Sequence, residues 1–80
     1  MNWQDELKQT LDKKKITQRQ FCKRTGVHFS EFNNIINKKR PLSMKVALML
    51  EFLFVKTAKY WLTRQLEEDI KIAKRDDGRF

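Results

Sequence analysis

Two glycines and one proline are the only strong backbone breakers in this 80-residue chain, and only Gly26 falls inside a patterned stretch. Where interruptions are so few, apolar residues recurring every three or four positions dictate helices almost throughout. Gly26 divides residues 17–37 into TQRQFCKRT, the turn GVHF and SEFNNIIN. Thr17 with Gln20 three residues later is a capping box, so a helix is predicted to start at Thr17 and to bury Phe21 and Cys22. Glycine tolerates the left-handed conformation of a tight helix exit, so Gly26 ends that helix. A further helix is predicted from residue 29 or 30 to 37. Phe32, Ile35 and Ile36 face inward there, Val27 closes the turn, and Ser30, Glu31, Asn33, Asn34 and Asn37 point out. Two short helices around a tight turn have the shape of a helix-turn-helix.

The remainder reads as support for that pair. A first helix over 3–14 stacks Trp3, Leu7 and Leu11 at a spacing of four. Lys13, Lys14 and Lys15 fall in or just past its last turn, where cations suit the helix dipole, and either a solvated charge run or a phosphate-facing cluster fits them. Lys38-Lys39-Arg40-Pro41 forms a loop, because Pro41 keeps Arg40 from continuing a helix easily. Ser43 caps a helix over 44–54 that carries Val46, Ala47, Leu50 and Phe54 inward. Its nearly continuous apolar run, VALMLEFLFV, predicts the most buried element of the fold. Thr57 caps a last helix from 58 towards 74 with Trp61, Leu62 and Leu66 as its inner face. Tyr60, Ile70 and Ile72 are candidates for an exposed dimer or partner contact, and ordinary core positions fit them equally. The expectation is one all-α domain of five helices over 1–74, with RDDGRF at 75–80 as a disordered tail.

Charge narrows the function. Lys and Arg total 18 against 10 acidic residues, a net charge of +8. Residues 13–40 hold Lys13, Lys14, Lys15, Arg19, Lys23, Arg24, Lys38, Lys39 and Arg40 against the single acid Glu31, so the whole excess sits in that segment. A polyanion or an acidic protein surface is the expected partner. The one cysteine, Cys22, excludes an internal disulfide and fits a reducing compartment. With His28 the only histidine and no second thiol, Cys22 reads as a small buried residue and not as a nucleophile or metal ligand. No run approaches the roughly 18 apolar residues that span a membrane, and MNWQD does not read as a signal peptide, so a cytoplasmic protein is expected. There is no convergent Ser/His/Asp or Cys/His set, no glycine-rich phosphate loop and no ligand cluster; an enzyme, a cofactor and a metal are not expected.

The outward residues of the third helix suit base edges. Short amides reach them, and Asn pairs well with the N6 and N7 atoms of adenine. Glu31 could accept from cytosine N4 or exclude wrong sequences by repulsion. Phe29 fits a thymine methyl contact or a hydrophobic staple, and His28 a helix cap, a phosphate contact or simple exposure. The basic loop that follows suits phosphates.

The segments ITQRQFCKRTGV at 16–27 and IINKKRPLS at 35–43, then VALMLE, YWL, Gln65 and Asp69-Ile70, carry a resemblance. With them the chain resembles the lambda-repressor-like helix-turn-helix proteins of the Xre type, and among these the HigA-type antitoxins. The resemblance covers roughly residues 5–70 and implies a five-helix domain that binds a palindromic operator as a homodimer, with the third helix in the major groove. It implies base reading by Phe29, Ser30, Glu31, Asn33 and Asn34, with His28 at their edge. Phosphates would be held by Gln18, Lys38, Lys39 and Arg40, with Thr17, Arg19 and Asn37 beside them. The family commonly has a small residue at position 28 and glycines at 15, 38 and 55, where this chain has His28, Lys15, Lys38 and Val55. The implied function is a sequence-specific repressor of its own operon. The alternative is an antitoxin that neutralises an mRNA-cleaving toxin, although the chain lacks a long extra segment for wrapping one.

Overall fold

The structure is a computed structural model that describes residues 2–77. Among them are five helices and no strand: α1 (Trp3–Lys13), α2 (Gln18–Thr25), α3 (Phe29–Ile36), α4 (Met44–Leu53) and α5 (Ala58–Asp77). The all-α architecture agrees with the sequence. Helix α5 continues past residue 74 to Asp77, so the first three positions of the expected tail are helical. The other three lie outside the described residues.

Short polar residues start the helices where their side chains can satisfy orphan backbone donors. Asn2 accepts from the Asp5 amide at 2.8 Å, Ser43 from Val46 at 3.2 Å and Thr57 from Tyr60 at 3.1 Å. Glu51 adds a second acceptor at the start of α5, taking the Ala58 N–H at 2.8 Å. The capping box of α2 is complete: Thr17 Oγ1 accepts from the Gln20 amide and Gln20 Oε1 from the Thr17 amide. Helix α1 ends in a Schellman motif, with Lys15 N–H donating to Asp12 at 3.0 Å and Ile16 N–H to Leu11 at 3.0 Å. The motif needs a left-handed residue, and that residue is Lys15, at φ 55°.

The core joins Trp3, Leu7 and Leu11 of α1 to Phe21 of α2, to Phe32, Ile35 and Ile36 of α3, and to Trp61 of α5. Val27 and Leu42 seal the two turns, and Cys22 is buried as expected. Phe21 and Phe32 stack at a centroid distance of 4.2 Å, and Phe54 extends the stack at 6.3 Å from Phe21.

Helix α4 departs from expectation. Val46, Ala47 and Leu50 are buried, but Met44, Leu48 and Phe52 are 62%, 46% and 78% exposed. A helix that is apolar all round can be buried all round only if the fold has elements to surround it. This chain sets α4 chiefly against α5, and its outer side has no cover among the described residues. Leu66, read as part of the inner face of α5, is 59% exposed as well. From Leu66 to Arg75 every residue but Glu68 is exposed, so the second half of α5 has left the core.

Of the two readings left open for Tyr60, the contacts favour the inner one: it is half-buried, and its hydroxyl donates to Glu6 of α1. The same carboxylate receives Lys56 Nζ and, at 3.1 Å, the Arg64 guanidinium; Arg64 also grips Glu68 at 2.7 Å. These contacts clamp α1 to α5. Partial burial alone would raise the Glu6 pKa, but the hydrogen bonds from Lys56, Tyr60 and Arg64 outweigh it and hold the carboxyl at about 2. The folded value lies below the ordinary 4.5, so the stabilisation is complete above pH 4.5 and is lost as pH falls from there towards 2. Replacing Glu6 by Gln is expected to cost about 1–2 kcal/mol at neutral pH. Chemical denaturation as a function of pH checks this: the variant should lose less stability than the parent between pH 4.5 and 2.

Candidate nucleic-acid interface

Helices α2 and α3 are separated by three residues, Gly26, Val27 and His28. Gly26 sits at φ 79° and its N–H closes the helix on the Cys22 carbonyl at 2.8 Å. A Cβ added there would meet nothing within 4 Å, so the conformation and not crowding calls for glycine. Thr25 tightens the exit, its hydroxyl donating to the Phe21 carbonyl at 2.8 Å and accepting from the Val27 N–H at 3.3 Å. Buried Val27 then turns the chain so that Phe32 meets Phe21, which fixes α3 against α2.

The outer face of α3 is now defined by what the core takes. Phe32, Ile35 and Ile36 are consumed. Phe29, Ser30 and Asn37 are exposed, and Asn33 and Asn34 half-exposed. A line of amides crosses from one helix to the other: Asn37 Nδ2 donates to Asn33 Oδ1 at 3.1 Å and Asn33 Nδ2 donates to Gln18 Oε1 at 3.1 Å. Gln18 is the first residue of α2, so this line fixes the N-terminus of one helix to the middle of the next. It also leaves Asn33 less free to meet a base than Asn34, whose side chain takes no part in it.

Phe29 does not pack back into the core. It is 37% exposed and carries the Arg19 guanidinium over its ring, 4.6 Å from the centroid. Arg19 and Phe29 therefore form one mixed cationic and apolar unit across the two helices. His28 occupies the N-cap position of α3 in an extended conformation but makes no side-chain capping bond, and its ring is exposed. Thr17, by contrast, is spent on the capping box.

Glu31 stands apart from the other expected readers. Its side chain is only a quarter exposed and lies 4.0 Å from Lys45 of α4. The Cys22 thiol pKa is raised by burial first and by the charge of Glu31 second, which keeps the sulfur protonated and unreactive. Glu31 thus faces α2 and α4 at the border of the strip. Among the described residues no group of three or more His, Cys, Asp and Glu is placed to hold a metal ion, and no helix is long and apolar enough to cross a membrane.

The basic loop leaves α3 through a second Schellman motif. Lys38 N–H donates to Ile35 at 3.2 Å and Lys39 N–H to Asn34 at 2.8 Å, with Lys38 left-handed at φ 66°. Lys38, Lys39 and Arg40 are all exposed. The far end of the loop is held by Gln65 of α5, whose Oε1 accepts from the Leu42 N–H at 2.6 Å and whose Nε2 donates to the Leu42 carbonyl at 3.3 Å. A loop pinned at both ends presents three cations at a fixed place beside the amide strip. The resemblance pointed to Gln65, but no local pattern would have paired it with Leu42, 23 residues away.

Comparison of the chain with protein-family models, with curated proteins and with solved structures finds no match.

A non-glycine residue in the left-handed region is disfavoured by about 1–2 kcal/mol, and glycine returns part of that gain through its freer unfolded chain. Lys38→Gly is therefore expected to raise stability by roughly 0.5–1 kcal/mol. A rise in the urea midpoint at unchanged slope would report it; a fall would show that the Lys38 side chain makes a stabilising contact that outweighs the strain.

Proposed function

We propose that this chain is a sequence-specific DNA-binding protein. In this reading α2 and α3 form a helix-turn-helix, α3 enters the major groove, and a homodimer occupies a palindromic operator, repressing transcription, most simply of its own operon. The observation that carries the reading is the continuity of two surfaces: the amide strip of α3 passes, through the turn at Lys38, into the three exposed cations held in place by Gln65. Amides select bases and cations hold phosphates, and a reader of DNA needs both side by side. Two further observations support it. Lys15 and Lys38 take left-handed conformations at two positions where the resembled lambda-repressor-like proteins commonly carry glycine. The whole net positive charge falls in the segment that ends at this loop.

Within this reading the roles divide. Asn34, Ser30 and the Arg19–Phe29 pair meet base edges. Lys38, Lys39, Arg40 and the exposed start of α2 meet the backbone. Asn33 and Gln18 hold the two helices in register while touching the same surface. Glu31, turned towards Lys45, serves the interior border more than the groove.

A band-shift titration tests the proposal. With about four phosphates neutralised per subunit, log affinity should fall against log salt with a slope on the order of −7 for a dimer. Flat salt dependence would sink it. Asn34→Ala should lose about 1–3 kcal/mol on the preferred site and relax one base position, while Lys39→Ala weakens all sequences alike. Equal losses on specific and random DNA for Asn34→Ala would show that this side chain reads nothing.

The antitoxin alternative draws on a separate feature, Ile70 and Ile72, both exposed late in α5 beyond the core. Co-purification with the product of a neighbouring small gene, lost on Ile70→Lys, would support it.

A further inference from the structure

We propose that the uncovered side of α4, together with Leu66 of α5, is the surface on which a second copy of this chain docks, with the two α4 helices antiparallel about a two-fold axis near Leu48. The choice of a second copy rests in part on the DNA reading above. The surface itself does not.

The apolar side chains form a stripe and not a scatter. Met44, Leu48 and Phe52 follow one another at a spacing of four, so they lie along one face of α4 over about 12 Å. At the Met44 end the stripe opens into a shallow apolar groove of about 380 Å³, walled by Met44, Ala58, Leu62 and Leu66. At the other end Phe52 projects with 78% of its surface exposed. One end of the face is therefore a hollow and the other a knob. An antiparallel two-fold through Leu48 sets each Phe52 opposite the other copy's groove and leaves Leu48 against Leu48. A face that fits itself in this way is what an isologous contact requires.

Charge points to the same occupant. The ionic neighbours of the stripe in sequence are Lys45, Glu51, Lys59 and Glu67, two of each sign and all exposed. A balanced border suits its own copy. A strongly acidic partner is drawn to residues 13–40 instead, where nine basic residues face one acid. Need supplies the third argument. Helix α3 has eight residues, about 12 Å, and spans only a few base pairs, too short a word to specify a site alone. Two copies double it.

Sedimentation velocity over a protein concentration series, without DNA, tests the interface. The parent should pass from monomer to dimer as concentration rises. Phe52→Lys and Met44→Lys should each raise the dissociation constant by about 30-fold or more. Both side chains are exposed, so circular dichroism and melting should show an intact fold. Ile72→Lys, off the stripe, should leave the dimer alone. A parent that stays monomeric throughout overturns the inference, as does a dimer indifferent to both stripe variants. The DNA reading fails separately: a stripe-dependent dimer with no salt-sensitive DNA binding supports the interface and removes that reading. A monomer that still selects a DNA sequence removes the interface and the homodimer of that reading, and keeps its sequence-specific binding.

Discussion

The ring of Phe21 against the ring of Phe32, 4.2 Å apart and nearly parallel, is the contact on which the candidate interface depends. It joins the only inward aromatic of α2 to the first buried residue of α3, across a three-residue turn that could otherwise accept many helix orientations. A stacked pair adds roughly 0.5–1.5 kcal/mol beyond the area it buries, and, unlike aliphatic contact, it constrains direction. Phe54 lies nearly parallel to Phe21 at 6.3 Å and ties the end of α4 into the same stack. The amide line from Gln18 through Asn33 to Asn37 then copies this orientation to the surface. Core and surface thus fix one angle twice, once by packing and once by hydrogen bonds.

The two left-handed lysines express a different balance. At Lys15 and Lys38 the backbone adopts what glycine adopts most easily, and in both places the chain accepts strain and gains a cation. The core is small, so the strain is not trivial. What offsets it is a rigid frame: Schellman bonds at both helix exits, four side-chain caps, Gln65 on Leu42 and the Glu6 cluster between α1 and α5. Polar contacts at the edges let a fold with few large core residues hold its loops still. A mobile Lys38–Arg40 loop would still attract a polyanion, but it would not register the amide strip against anything.

Much of this could be read from the chain because its signals are local. Thr17 with Gln20, Ser43 and Gly26 mark helix ends through bonds spanning four residues or fewer, and they fall where the sequence put them. Trp3, Leu7 and Leu11 show one face of one helix without reference to any other. The failures came where the answer needed the count of neighbours or a contact far along the chain. VALMLEFLFV states that α4 is apolar on every side, but how many sides are covered depends on how many helices surround it. The period-four stripe Met44, Leu48, Phe52 was present in the letters, overlaid by a second stripe that the core does use. The Tyr60–Glu6 bond spans 54 residues, and no periodicity encodes it, so the sequence leaves Tyr60 open and gives no sign of Glu6. Glu31, outward by the helical wheel, is only a quarter exposed and lies 4.0 Å from a lysine of α4 that the wheel does not contain.

The stripe on α4 and the strip on α3 therefore stand in a definite relation. One is apolar with a balanced border, the other polar with an unbalanced one, and the 80 residues divide between them near Pro41. Most of the excess charge and the amide strip lie before that proline; after it lie Met44, Leu48, Phe52 and Leu66, the uncovered hydrophobic side chains of the stripe. A polyanion bound to the first half would leave the second half free, and a second copy on the second half would leave the first half free. Leu42, buried and gripped by Gln65, is where the two halves are joined. The Phe21–Phe32–Phe54 stack is a second such join, within a core that also packs Ile35 and Ile36 of α3 with Val46 and Leu50 of α4 and Trp61 of α5. Because one core fixes the relative geometry of the two surfaces, pairing two copies through one of them would set the spacing at which the other is presented twice.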